Sequence, residues 1–330
     1  MPSPELFFDT MFAPQRAAAL KAAVDLAVFT AIGDGVRTVA EIADRCKASE
    51  RGIRILCDNL TIMGFLAKTG DTYELTRDSA VFLSTRSPAY LGSAVEFLYS
   101  FETARNMDRL TETIRTGTVA PEANTVSDDN PVWVKFARGM APMMVPPANA
   151  IADVLQVDAA GPIRVLDIAA GHGMFGITVA MRNPAAEIVA VDWPPVLAVA
   201  TQNAQAMGVG ARHRALNGDA FKVEYGTGFD IALLANFLHH FDRPTCVRLL
   251  QKTAAALKPA GKVAILEFVP NDDRVTPPLA AAFSLTMLSG TPAGDVYTFR
   301  EHRAMLMEAG FQDVSAHPLP ALQTIIVASR

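Results

Sequence analysis

Hydrophobic positions along the chain change period about halfway through. Over residues 14–32, Leu20, Val24, Ala27, Val28 and Ala31 recur at helical spacing, which predicts one helix. Pro14 suits its first turn, and Gly33 and Gly35 end it. Thr38-Val-Ala-Glu41 is a capping-box pattern and predicts a short helix to about Cys46. Ser49 caps a longer helix through Ile53, Leu56, Leu60 and Met63, stopped by Gly64. A hairpin follows, with strands at 65–68 and 73–75 around Gly70-Asp71. Three helices and a hairpin in this order form a winged-helix pattern. Residues 88–155 read mostly as helix, with a polar, proline-containing break at 119–131. The stretch Val132–Leu155 begins with Trp133 and Phe136 and is rich in methionine (Met140, Met143, Met144).

From residue 162, short apolar runs alternate with helical segments. The runs 163–168, 187–192, 212–217, 229–236 and 262–269 predict strands. Segments 174–182, 194–207, 243–257 and 298–309 predict helices. Strands this apolar are buried on both faces, so the pattern predicts a parallel sheet covered by helices, an α/β fold. The last two runs, 311–317 and 322–329, are joined only by Pro318-Leu319-Pro320-Ala321, a link that suits an antiparallel pair. The expected organisation is a winged-helix domain at 1–100, a helical linker at 101–160 that contributes to a ligand pocket, and an α/β domain at 161–330.

Composition narrows the function. The chain has 330 residues, 50% of them hydrophobic and 19% charged, enough for a large buried core. A winged helix invites a DNA-binding reading, but residues 1–100 hold 10 Lys and Arg against 12 Asp and Glu, a net charge of −2. Phosphate binding needs a basic excess, so no nucleic-acid partner is expected. Cys46, Cys57 and Cys246 are too scattered for a zinc site, and no metal is expected. Isolated thiols, no signal-peptide pattern at the N-terminus and no apolar run of spanning length predict a cytoplasmic protein without a membrane partner.

The most informative segment is Val165-Leu166-Asp167-Ile168-Ala169-Ala170-Gly171-His172-Gly173-Met174-Phe175-Gly176, a strand, a small-residue turn and a helix start. Such a turn lets a ligand approach backbone amides. Nicotinamide enzymes use a similar turn, so the loop alone leaves the cofactor open. Asp192 ends the second strand and can accept from both hydroxyls of a ribose. Asp219, in Asn217-Gly218-Asp219-Ala220-Phe221, follows the third strand and could meet an adenine amino group. The fourth strand runs into Asn236-Phe237-Leu238-His239-His240-Phe241-Asp242, which places two imidazoles at the ligand edge. Histidine can take a proton near neutrality, and the alternative is that one of the pair simply caps the strand end or the helix after Asp242. Glu267 lies in an apolar fifth strand and needs a partner, either an imidazole or backbone amides.

These motifs together resemble the class I S-adenosylmethionine (SAM)-dependent methyltransferases. The whole chain is similar to small-molecule O-methyltransferases with an N-terminal winged-helix dimerisation domain, such as plant caffeate and flavonoid enzymes and bacterial natural-product enzymes. That resemblance implies a Rossmann-like sheet with an antiparallel last strand and SAM as cofactor, converted to S-adenosylhomocysteine. The glycine-rich motif then maps onto Asp167, Ala169, Gly171 and Gly173, with Ala169 in place of the usual first glycine. A methyl there is tolerable if the backbone keeps a common conformation. Asp192 and Trp193, Gly218 to Phe221 with Ala220 between, and Asn236 complete the implied cofactor set. The family's base falls on His239, with His240 beside it, and Glu267 inherits the orienting role. The plant members' second acidic residue falls on Val296, with Asp295 adjacent. Phe136 and Met140 match the family's Phe-x-x-Gly-Met stretch, and Met287 and Thr291 a second acceptor stretch. The resemblance implies methyl transfer to a hydroxyl of a small apolar or aromatic molecule by a homodimer. Leu6, Phe7, Phe8, Met11 and Phe12 suit the dimer contact. A relative that binds SAM for decarboxylation, rearrangement or N- or C-methylation is the alternative reading.

Overall fold

Ala27 divides the first predicted helix in two. In the computed structural model, which describes residues 2–127, 130–320 and 322–330, helix α2 (Ala13–Asp25) ends at Leu26, and Ala27 takes a left-handed φ of 54° before α3 (Val28–Gly33). Residues 128–129 of the predicted break and Ala321 of the predicted final link lie outside the described residues. The kink redirects Val28, Phe29 and Ile32 into a core with Ile42, Ile53, Leu60 and Tyr73. An apolar cluster outweighs the roughly 1–2 kcal/mol that a left-handed alanine costs.

The chain divides into two compact units, Met1–Phe101 and Glu102–Arg330. The first holds α1 (Glu5–Met11), α2, α3, α4 (Val39–Cys46), α5 (Glu50–Ile62), a hairpin of β1 (Leu66–Thr69) and β2 (Thr72–Leu75), α6 (Arg77–Phe82) and α7 (Ala94–Leu98). The predicted capping box forms, with the Thr38 hydroxyl accepting from Glu41 N–H and the Glu41 carboxylate accepting from Thr38 N–H. Ser49 caps α5 as expected. Helix α1 buries none of its residues, and Leu6, Phe7, Phe8, Met11 and Phe12 are all exposed.

The second unit begins with α8 (Phe101–Asp108), α9 (Leu110–Thr116) and the long α10 (Val132–Val154). Helix α10 runs through Pro142, Pro146 and Pro147, and it buries Met140, Met144, Ala148, Ile151 and Ala152. Then follow β3 (Arg164–Ile168), α11 (Met174–Arg182), β4 (Glu187–Asp192), α12 (Pro194–Ala206), β5 (His213–Asn217), β6 (Phe229–Ala235), α13 (Arg243–Ala256), β7 (Leu257–Glu267), α14 (Pro278–Gly290), α15 (Phe299–Glu308), β8 (Gln312–Pro318) and β9 (Thr324–Ser329). The seven strands form one sheet in the order β5-β4-β3-β6-β7-β9-β8. The first five are parallel, and β9 runs antiparallel to both β7 and β8, as the short link between the last two runs predicts.

Register sets the site. Asp192 pairs with Asn217, Ile168 with both Val191 and Leu234, and Ala235 with Leu266. The C-terminal ends of β3, β4, β5, β6 and β7 therefore share one edge, and strand order reverses between β3 and β6. Open α/β sheets bind ligands at such a switch point.

Candidate active site

The loop after β3 is held by two carboxylates. Asp167, fully buried, accepts from Gly176 N–H at 3.0 Å and ties the strand to the start of α11. Asp192 accepts from Gly171 N–H at 2.8 Å and from Trp193 N–H at 2.7 Å. Burial pushes Asp167 up to about 7 and Asp192 up to about 6, because amide donors alone do not offset lost hydration. Among the described residues no cation pairs with Asp192, so its remaining acceptor capacity suits neutral hydroxyl donors. Gly171 and Gly173 have φ of 58° and 76°. A Cβ on Gly173 would sit 3.0 Å from the Ala200 Cβ, and one on Gly176 would sit 2.6 Å from Ile188 Cγ2, so loop and helix pack too closely for side chains there. Trp193 leads into α12 and packs with Ala137, Val196 and Val199.

Ala169 lies at φ 54°, not in a common conformation, so the methyl that replaces the family's glycine is strained. A left-handed alanine costs about 1–2 kcal/mol, and glycine gives back part of that through chain entropy. Ala169→Gly is therefore expected to raise the unfolding free energy by roughly 0.5–1 kcal/mol in urea titrations. A lower midpoint at unchanged slope would refute the strain.

Beyond β5, Gly218 N–H donates to the Asp192 carbonyl at 2.9 Å. Asp219 accepts from Phe221 N–H at 2.8 Å and pairs with the exposed Lys222 at 3.0 Å, a surface contact that a ligand can displace. Ala220 is buried and its carbonyl accepts from Lys252 at 3.0 Å. Phe221 packs edge-on against Phe241, with ring centroids 4.9 Å apart. The side chain of Asn236 is engaged within the protein. It accepts from Gln323 and donates to Met144 Sδ at 3.6 Å, while its left-handed φ of 55° turns the chain out of β6.

That turn delivers the two histidines. His239 Nδ1 meets Glu267 Oε2 at 2.5 Å, and the two side chains are 4% and 1% exposed. Glu267 Oε1 accepts from the backbone N–H groups of Phe237 (3.0 Å), Leu238 (2.9 Å) and His239 (3.4 Å). Both partners expected of Glu267 are therefore present, one on each oxygen. Burial pushes its carboxyl up, but the neighbouring His239 and these donors pull harder and hold it below 4.5. With Nδ1–H committed to a carboxylate, the lone pair of His239 lies on Nε2, which has no hydrogen-bond partner among the described residues. Burial, reinforced by His239, holds His240 well below 6.5 and therefore neutral. His240 packs against Trp133 (5.1 Å) and has no hydrogen bond to its buried Nδ1 among the described residues.

The apolar wall is built from α10 and α14. Phe136 stacks on His172 (5.9 Å) and lies 3.5 Å from where a Gly171 Cβ would stand, so it faces the glycine loop. Met140 and Met287 are buried. Thr291 is used structurally: its hydroxyl donates to the Met287 carbonyl at 2.7 Å and accepts from Gly294 N–H at 2.9 Å. This clamp holds residues 291–294 so near the turn that a Cβ on Gly294 would approach the His239 carbonyl to 2.4 Å. Val296 is buried, and Asp295 pairs with Arg274 (3.3 Å) and accepts from Ser284 (2.6 Å), so Glu267 is the one carboxylate hydrogen-bonded to His239 among the described residues. Sequence reasoning passed over Phe283, whose ring lies 5.2 Å from His239 and stacks on Phe268 at 3.9 Å. It also passed over His172, a non-glycine in the glycine loop. No group of three or more His, Cys, Asp or Glu side chains among the described residues could hold a metal ion.

Residues 117–312 match the O-methyltransferase domain model, and residues 8–85 match the O-methyltransferase dimerisation domain model. The chain is 29% identical over 316 residues to 3-hydroxy-5-methyl-1-naphthoate 3-O-methyltransferase of Streptomyces sahachiroi, covering 94% of this chain and 90% of that one. It is 27% identical over 328 residues to the mitomycin biosynthesis 6-O-methyltransferase of Streptomyces lavendulae, covering 96% and 91%. The crystal structure of a putative O-methyltransferase from Nostoc punctiforme superposes with a TM-score of 0.95 at 50% identity over the full length of both chains. Human N-acetylserotonin methyltransferase in complex with SAM shares the fold, with a TM-score of 0.85 at 24% identity over 98% of this chain and 96% of that one. The chain belongs to the O-methyltransferase family.

Proposed function

We propose that this protein transfers a methyl group from SAM to a hydroxyl, most simply a phenolic one, of a small aromatic molecule, with His239 as general base. One observation carries the assignment of the base: a buried imidazole whose Nδ1 is held by a carboxylate and whose Nε2 is uncommitted, at the ligand edge of the sheet. When bound, SAM supplies an electrophilic methyl on sulfur. Asp192 accepts from the ribose hydroxyls, and the amides and small residues of the 169–173 loop flank the amino-acid end. Phe136, Met140 and Met287 surround the acceptor and exclude water. His239 Nε2 takes the hydroxyl proton as the oxygen–carbon bond forms, and Glu267 stabilises the resulting imidazolium. Alignment of oxygen and methyl carbon supplies much of the rate. The two Streptomyces relatives are named as O-methyltransferases, one of a hydroxynaphthoate and one of mitomycin biosynthesis, which supports this acceptor class.

The active form is a homodimer built through the dimerisation domain, and the apolar, uncovered α1 supplies part of its contact surface. Among the described residues no helix is long and apolar enough to cross a membrane. With three free thiols, the proposed location is the cytoplasm.

Calorimetry with SAM and S-adenosylhomocysteine tests the cofactor site. Wild type is expected to bind both in the micromolar range, and Asp192→Ala to lose about 100-fold or more through two missing hydrogen bonds. Because burial pushes the Asp192 carboxyl up to about 6, and it must be ionised to accept from both hydroxyls, affinity is expected to fall as pH drops through that value. S-adenosylhomocysteine should bind wild type about tenfold more weakly at pH 5 than at pH 8, a difference that Asp192→Ala abolishes. Equal affinity of the two proteins at pH 8 would sink the site assignment.

A further inference from the structure

We propose that His172 binds the carboxylate at the amino-acid end of the cofactor through its Nε2–H group, an inference that rests on the cofactor reading above. His172 lies between Gly171, whose N–H holds Asp192, and Gly173, which leads into α11. Its side chain is held at Nδ1 and by two aromatic neighbours. Nδ1 accepts the N–H of Met174, the first residue of the helix, at 3.0 Å. The ring stacks on Phe136 at 5.9 Å with 20° between planes and packs on Phe175 at 5.6 Å. The carbonyl of His172 accepts from Asn203 at 2.9 Å, which anchors the backbone as well.

An imidazole whose Nδ1 accepts an N–H must carry its own proton on Nε2. That donor has no partner among the described residues, although the residue is 1% exposed. A rigidly held donor with no protein partner is available to a ligand acceptor. Burial pushes His172 down to about 4, so the ring stays neutral and serves as a donor across the working range. Of the two charged groups at the amino-acid end of SAM, only the carboxylate accepts hydrogen bonds. The positive end of the α11 dipole favours the carboxylate and disfavours the ammonium at the same place. The loop thus runs from Asp192 at the ribose to a donor at the carboxylate. Phe136, from the acceptor wall, holds that donor in place, which couples acceptor packing to cofactor binding.

The test compares S-adenosylhomocysteine with 5′-methylthioadenosine, which keeps the nucleoside and lacks the amino-acid end. His172→Asn keeps an acceptor near the Nδ1 position for Met174 and removes the Nε2 donor. His172→Gln places an amide donor near the Nε2 position. Calorimetry should show His172→Asn weakening S-adenosylhomocysteine about tenfold or more while methylthioadenosine stays within about twofold, and His172→Gln restoring most of the loss. Equal weakening of both nucleosides by His172→Asn would mean that the ring only shapes the loop, and it would overturn the assignment. So would unchanged S-adenosylhomocysteine affinity in a folded His172→Asn protein, or a His172→Gln protein no better than His172→Asn. Wild type that binds methylthioadenosine and S-adenosylhomocysteine equally well removes any role for the amino-acid end, and with it this proposal, while the nucleoside site stands. Wild type that binds neither overturns the cofactor reading itself.

Discussion

Replacing His239 by asparagine is expected to lower kcat by about 10²–10⁴-fold at neutral pH while S-adenosylhomocysteine affinity stays within about twofold. Asparagine is the informative substitution because its side-chain amide can still donate to Glu267 Oε2, where His239 Nδ1 now lies at 2.5 Å. The buried carboxylate keeps a partner, so the loss reports the missing Nε2 base and not a collapsed site. Without the base the acceptor must lose its own proton. Residual activity of the variant should therefore climb about tenfold per pH unit until the acceptor hydroxyl ionises, a slope that wild type does not share. A variant with more than a tenth of wild-type kcat and an unchanged pH profile would remove His239 from the chemistry and leave alignment of the substrates to account for the rate.

The sequence exposed the parts of this machine that repeat a period or close a hydrogen-bond ring. Buried parallel strands read as apolar runs, and β3, β4 and β6 fall within a residue or so of their predicted limits. Capping residues marked the starts of α4 and α5 because a side-chain oxygen three residues from an orphan N–H is a local device. Helix α14 escaped because Leu279 through Leu288 is apolar on nearly every face, so no period separates it from strand or loop. The kink at Ala27 escaped because alanine favours helix, and only the packing of Phe29 and Ile32 against distant residues turns it left-handed. At the candidate site, residue type singled out Asp192, His239 and Glu267 as candidates, since few groups can take a proton or bind a ribose. It could not show that Thr291 spends its hydroxyl on its own loop, that Asn236 is tied to Gln323, or that Asp295 pairs with Arg274 and not with the base. Those outcomes depend on which groups the fold brings together in three dimensions, across 87 residues of chain for Asn236 and Gln323.

Glu267 carries two loads on its two oxygens, and two substitutions separate them. In Glu267→Gln, a single amide oxygen can still accept the three backbone N–H groups that now converge on Oε1. The amide NH₂ then faces His239 Nδ1 and forces that nitrogen to accept, which moves the imidazole proton to Nε2. A base protonated at the wrong nitrogen cannot take the acceptor's proton, so kcat should fall on the order of 10³–10⁴-fold while the fold persists, by analogy with the carboxylate of a hydrolase triad. Glu267→Ala instead strands three amides and an imidazole in the interior, and it should cost about 3–5 kcal/mol of stability, measured as a lower urea midpoint. The pH dependence carries the same signature. A carboxyl held below its ordinary 4.5 stabilises the fold at pH values above that number and loses the contribution as pH falls through its lower, folded-state value. Wild type should therefore lose stability on the acid side in a step that Glu267→Gln lacks. A glutamine variant that keeps more than a tenth of wild-type kcat would show that the carboxylate only braces the turn, and that His239 finds its productive tautomer without it.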